Sequence, residues 1–135
     1  MRLIKALLIV YTVLMAQLLL EDVLQMYRDD TLRSNPQALA LLQDEATSGN
    51  ANAMFLLATA YRNGKAGDID MPKAYYWYKK SASKGDADAM LILGWLYYKQ
   101  NTNIEANTKK ARYWFKQAAM SGVEEAVEML NILGE

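Results

Sequence analysis

Four pairs of carboxylates are the residues of this 135-residue sequence whose type and spacing could do chemistry: Asp29 with Asp30, Asp68 with Asp70, Asp86 with Asp88, and Glu124 with Glu125. Two carboxyls facing one cleft can act as general acid and base. Several carboxylate oxygens together can hold a hard cation. Most of these pairs, however, fall at expected helix starts or in loops, where acids favour the helix dipole and cap backbone N–H groups. A structural role is therefore the reading adopted, with a hydrolase using carboxylates alone as the alternative. The chain has no Cys and no His. That excludes a thiol nucleophile, a Ser–His pair, a Cys/His metal site and a disulfide framework. No enzyme activity, cofactor or metal is expected, and packing has to supply the stability.

Charge and aromatic content point to protein recognition instead. The formal net charge is zero, with 15 basic and 15 acidic residues, whereas a general nucleic-acid binder carries a basic excess. No nucleic-acid partner is expected. Leu91, Trp95 and Tyr98 follow one another at spacings of four and three, so they share one side of a helix. Ala89, Met90, Leu93, Gly94 and Tyr97 form a separate stripe on the same helix. Two apolar faces exceed what a two-layer array needs for its own packing. The excess implies a docked protein partner or, alternatively, Trp95 packed under the N-terminal segment or a long loop. A second cluster, Lys79, Lys80, Lys84, Lys109, Lys110, Arg112 and Lys116, is read as a solvated basic face, with contact to anionic lipid as the alternative.

The elements that carry these residues begin with an apolar leader. Arg2 and Lys5 precede a run from Ala6 to Leu20 that only Thr12 and Gln17 interrupt. This is the pattern of a positive n-region and an apolar h-region. Cleavage after Ala16 would put Leu14 where a small residue is expected, so a retained anchor is preferred over a cleaved signal. The run is short against the ~20 residues of a spanning helix, but Leu3 and Ile4 lengthen it if Lys5 snorkels. A buried helix of a cytosolic domain is the competing reading, disfavoured because residues 6–16 have almost no polar face. The two basic residues favour a cytoplasmic N-terminus. The chain is expected to be exported, either anchored in the inner membrane through residues 3–20 or periplasmic, with its remainder outside the cytoplasm.

Internal repeats follow. Pro36, Ala38, Ala46, Gly49 and Ala53 recur as Pro72, Ala74, Ala82, Gly85 and Ala89, every offset being 36. Trp77, Tyr78, Lys79, Ala82 and Gly85 recur as Trp114, Phe115, Lys116, Ala119 and Gly122 at an offset of 37, one residue having been inserted between Tyr97 and Lys110. Each period holds two helices. Helices of the first kind, A, are expected over 51–63, 87–100 and 123–133, and of the second kind, B, over 36–48, 71–84 and 107–121. A degenerate A helix is expected over 18–32. Asp70 and Asn107 suit N-caps, Pro72 the first turn, and Gly64 a left-handed C-cap. Small residues such as Ala58 and Gly94 allow close helix approach, and Tyr61, Trp77, Tyr97 and Trp114 are expected to fill the spaces between helix pairs.

These residues resemble the Sel-one-like repeat, a relative of the tetratricopeptide repeat. The resemblance rests on Ala53, Leu57, Tyr61, Gly64, Asp70, Lys73-Ala74, Trp77-Tyr78, Lys80 and Ala82 in the first copy. The second copy carries it through Ala89, Leu93-Gly94, Tyr97, Lys110-Ala111, Trp114-Phe115, Ala118-Ala119 and Gly122. Gln100 departs from the pattern, where the family has Gly, as does Ala58. The resemblance implies an all-α, short right-handed α–α solenoid and an adaptor role, commonly in exported bacterial proteins. The expected organisation is a leader over 1–20, a degenerate capping repeat over 21–50, repeats over 51–86 and 87–122, and a capping helix over 123–135. Cys-rich relatives that bind β-lactams transfer nothing, since this chain lacks their cysteines.

The resemblance also implies that the A helices line a concave face. Their positions not needed for packing are Phe55, Thr59 and Arg62 in the first repeat, and Asp88, Leu91, Trp95, Tyr98 and Lys99 in the second. Glu125 and Glu128 follow in the last helix. This is the expected partner-binding set. The expected function is a non-catalytic adaptor of the cell envelope, with an immunity protein that neutralises a toxin as the alternative.

Overall fold

The computed structural model describes residues 1–99 and 107–134, with the side chains of residues 16–18 outside the description. The inserted loop residue and Gln100 lie outside the described residues. The described chain is all-helical: α1 (Arg2–Arg28), α2 (Pro36–Thr47), α3 (Ala51–Arg62), α4 (Met71–Ser83), α5 (Ala87–Tyr98), α6 (Thr108–Met120) and α7 (Glu124–Leu133), with one turn of 3-10 helix at Leu32–Ser34.

Local chemistry starts and stops these helices. Asn35, Asn50, Asp70, Asp86 and Asn107 each accept a bond from a backbone N–H of the turn that follows, which satisfies one of the donors a helix start leaves free. Pro36 and Pro72 occupy first turns, where a missing N–H costs nothing. Between α4 and α5 the chain reverses within three residues, and Gly85 makes this possible at φ 93°. Ser81, fully buried, donates from Oγ to Asp86 Oδ2 at 2.7 Å. The end of α4 is thereby tied to the cap of α5.

Successive helices pack as antiparallel neighbours from α2 to α7, and α1 packs on α2 and α3. On α4 the buried residues are Ala74, Tyr78, Ser81 and Ala82; on α6 they are Ala111, Phe115 and Ala118. These spacings of three and four place one stripe on the A helices. Tyr78 and Phe115 are fully buried, whereas Trp77 and Trp114 are only partly buried at the flank of the stripe. The tryptophans, expected to fill the spaces between helix pairs, pack against the core from its flank, and Trp114 touches both core clusters. Each lies three residues beyond the central alanine rather than four, and each meets the exposed tyrosine before it edge-on, at 5.2 and 5.1 Å.

At the N-terminus the expected leader and capping repeat are joined without a break in secondary structure. The leader and the degenerate A helix form one helix of 27 residues, with no break at residue 20. No Gly, Pro or side-chain cap separates Leu20 from Glu21, so nothing ends the helix there. Its two halves differ in packing. Leu3 to Leu14 are exposed, while Val23 is buried and Leu20, Leu24, Met26 and Tyr27 pack on the core. The helix stops at Arg28, and Asp30 adopts φ 62°, a conformation that Asp tolerates better than most side chains.

Candidate functional site: a concave face built by the A helices

Two hollows open on the face formed by α1, α3, α5 and α7. The first, about 900 Å³, is walled by Leu20, Glu21, Leu24 and Tyr27 of α1, by Asn52, Phe55, Leu56 and Thr59 of α3, and by Lys84, Asp86 and Asp88. The second, about 650 Å³, lies between Arg62, Asn63, Ile69 and Met71 on one side and Ile92, Trp95, Leu96, Lys99 and Glu125 on the other. Of the residues singled out in the sequence, Phe55, Thr59 and Asp88 line the first hollow. Arg62, Trp95, Lys99 and Glu125 line the second. Leu91 packs against the second core cluster, while Tyr98 and Glu128 are exposed; none of the three lines a hollow.

The side chains differ in how firmly they are held. Phe55 is partly buried and meets the Tyr78 ring edge-on at 5.6 Å. Thr59 is engaged inside the repeat: its hydroxyl lies 2.9 Å from the Phe55 carbonyl oxygen and 2.9 Å from the Tyr78 hydroxyl. Trp95 is fixed on several sides. Its Nε1 donates to Glu125 Oε1 at 2.9 Å, and Lys99 Nζ stands 4.5 Å from its ring centroid. Tyr98 and Phe115 meet it edge-on at 5.8 and 5.6 Å. The neighbours that hold Trp95 thus come from α5, α6 and α7, whereas α1 packs on α2 and α3. A partly exposed aromatic whose rotamer is already locked has little side-chain entropy left to lose.

Sequence reading missed the contributions of Leu20, Leu24, Tyr27 and Ile69. Tyr27 stands 36 residues before Asn63, so the repeat offset could have found it. Ile69 is a lone apolar side chain in a polar loop and is 65% exposed. Asn63 Nδ2 donates to the Tyr27 hydroxyl at 2.7 Å, an internal bond that the sequence did not suggest.

In each carboxylate pair at least one member has an intramolecular partner. Asp70 and Asp86 are caps, and the N–H of Lys73 holds the Asp70 carboxyl below its ordinary value. Asp30 is likewise lowered, first by the hydrogen bond from Lys65, whose Nζ lies 2.9 Å away. Among the described residues, no three acidic side chains gather as a metal site would require.

A short stack of helix pairs with a lined concave face and no convergent reactive groups among its described residues defines an α–α repeat scaffold. The chain belongs to the Sel1 repeat family: the Sel1 repeat model matches residues 51–86 and 87–123, more than half of its length. Members of this family are generally non-catalytic helical scaffolds that bind other proteins. A component of an ERAD-associated E3 ubiquitin-protein ligase from Arabidopsis thaliana, HRD3A, is 38% identical over 58 residues, which is 42% of this chain and 9% of that protein. The chain therefore spans only a small part of this curated relative. Among solved structures, a Sel1 repeat protein from Oxalobacter formigenes is 28% identical with a TM-score of 0.65, covering 70% of this chain and 39% of that one. A protective antigen of uropathogenic Escherichia coli with the same repeat fold is 30% identical, with a TM-score of 0.68 over 81% of this chain and 24% of its own. Cysteine rich protein B of Helicobacter pylori is 25% identical, with a TM-score of 0.64 over 85% and 94%.

Proposed function

We propose that this chain is a membrane-tethered interaction module of the cell envelope, which holds a protein partner on the concave face between α1 and α7. The observation that carries the reading is the pair of hollows with an aromatic wall in each, Phe55 in one and Trp95 in the other. Support for the tether comes from α1, which is long and apolar enough to cross a membrane and has no buried residue among the described side chains of its most apolar stretch. Arg2 and Lys5 before that stretch favour a cytoplasmic N-terminus, which supports a reading with the repeats outside.

Site-specific photo-crosslinking in the native envelope tests the binding face. A crosslinker replacing Phe55 or Ile92, each partly exposed and lining a hollow, is expected to capture one discrete partner, and one replacing Tyr113 on the outer helices is not. Equal capture at all three positions refutes the concave assignment. Trp95→Ala is expected to weaken binding of the captured partner by about 2 kcal/mol or more. A reporter active only outside the cytoplasm, fused after Glu135, tests the location. Deletion of residues 1–20 should abolish its activity, and unchanged activity would refute export through α1.

A further inference from the structure

The outer side of the array carries a charge pattern that its packing does not need. α4 holds Lys73, Lys79 and Lys80, and α6 holds Lys109, Lys110 and Lys116; all six are exposed, and neither helix contains a carboxylate. An exposed tyrosine stands among the lysines of each helix, Tyr76 in α4 and Tyr113 in α6. Where α4 presents Lys73, Tyr76 and Lys80, the matching positions of α2 are Gln37, Ala40 and Asp44. A B helix of this array therefore packs without the cations and without the ring. The chain as a whole is neutral, so its charge is segregated onto this face rather than in general excess.

Rings hold several of these ammonium groups in place. Lys79 Nζ lies 4.9 Å from the Tyr75 ring centroid, Lys80 Nζ 5.5 Å from that of Tyr76 and Lys110 Nζ 5.4 Å from that of Tyr97, all within reach of cation–π attraction. Among the described residues the ion pairs are Lys65 with Asp30 and Lys73 with Asp70. Lys79, Lys80 and Lys116 thus meet no described carboxylate. Ammonium groups already ordered lose less side-chain entropy when an anion arrives.

Three kinds of anion carry the matching charge. Nucleic acid and sugar polymers stack on open ring faces. Lys80 stands over the Tyr76 ring and Trp77 meets it edge-on at 5.2 Å, which leaves chiefly its edge and hydroxyl. An anionic bilayer needs the face to lie flat. α1 runs alongside α3, since Asn63 donates to the Tyr27 hydroxyl and Lys65 pairs with Asp30 at the C-terminal ends of both helices. α4 is antiparallel to α3, so the outer face follows the axis of α1 and stands upright on any bilayer that α1 crosses. Carboxylates of a polypeptide need only ammonium and hydroxyl donors, and those are what the face offers.

We propose that the outer face of α4 and α6 is a second interaction surface, which takes an acidic segment of a partner protein. Lys79, Lys80 and Lys116 pair with its carboxylates, and the hydroxyls of Tyr76 and Tyr113 donate to them.

Fluorescence anisotropy of a labelled peptide of alternating Glu and Ser, added to the full chain in non-ionic micelles, tests this. The peptide should bind at low salt, and the same peptide with Gln for Glu should not. Lys80→Glu with Lys116→Glu should weaken binding about tenfold, as several exposed charge pairs provide. Tyr76→Phe with Tyr113→Phe should weaken it about threefold, because two hydroxyl donors are lost. These residues are exposed, and circular dichroism checks that each variant stays helical. Equal binding of the two peptides, or indifference to the lysine reversal, overturns the inference. So does tighter binding, at equal charge concentration, of single-stranded DNA or of phosphatidylglycerol vesicles. Crosslinking that shows the chain pairing with itself, and losing that pairing on lysine reversal, makes a second copy the occupant and also overturns it. The probe needs no concave partner, so its failure leaves the concave reading standing, and loss of capture at Phe55 leaves this one standing.

Discussion

The two complete repeats solve the same packing problem with different side chains. In the first, α3 presents Ala58 and α4 presents Tyr78, whose hydroxyl meets Thr59 at 2.9 Å. In the second, the matching positions are Gly94, Phe115 and Trp95. A methyl group at Gly94 would fall 2.6 Å from two carbons of the Phe115 ring, so this ring sits directly on the backbone of α5. Without a hydroxyl, Phe115 has nothing to offer a threonine, and the Trp95 ring packs edge-on against it. The aromatic on the concave face accordingly moves one helical turn, from the position of Phe55 in the first repeat to that of Trp95 in the second. One backbone thus yields two hollows with their aromatic walls at different heights, and the choice at a buried position decides what the surface presents.

The largest test of this comparison is truncation of the buried ring. Phe115→Ala is expected to cost about 3–5 kcal/mol, as for a large aromatic in a core, and to lower the melting temperature more than Trp114→Ala does. A larger drop for Trp114→Ala would return the central role to the tryptophans. Next is Gly94→Ala, expected to cost about 1–3 kcal/mol through overpacking. Phe115→Leu should relieve most of that cost, and a double-mutant cycle by chemical denaturation measures the coupling. Additive effects would mean that ring and glycine do not press on each other.

Smaller still is the hydroxyl pair of the first repeat. Tyr78→Phe is expected to cost about 1 kcal/mol, and little once Thr59 has become Val. An unchanged cost in that background would remove the bond from the comparison. The smallest effect is on pH dependence. Asp30 and Asp70 both have folded-state values below their ordinary one of 3.8. Their stabilising contribution is therefore present above the unfolded value and fades as pH falls through the folded ones. Melting temperatures of Asp30→Asn and Asp70→Asn, followed from neutral pH to about pH 2, should approach that of the parent at the acid end. A constant gap would show that proton linkage at these carboxylates contributes nothing.

Much of the fold was legible in the sequence because its determinants are local and repeated. The offsets of 36 and 37 located six of the seven helices, since caps such as Asn107 and stops such as Gly85 act within a turn of their own position. The family resemblance implied a concave face, and of the ten residues expected on it seven line the two hollows while Leu91, Tyr98 and Glu128 do not. Three things waited for the tertiary structure. Nothing local marks the boundary at Leu20, so only packing divides α1 into a free half and a docked half. Trp77 and Tyr78 are adjacent, and both are large and apolar enough for a core; the phase of α4 against α3 buries the second. Thr59 reads as a surface position until Tyr78, 19 residues on, takes its hydroxyl. Short-range periodicity specifies which helices form and roughly which face is apolar. Which of two neighbouring side chains is buried depends on a few tens of degrees of helix rotation, and that angle is set by partners distant in the chain.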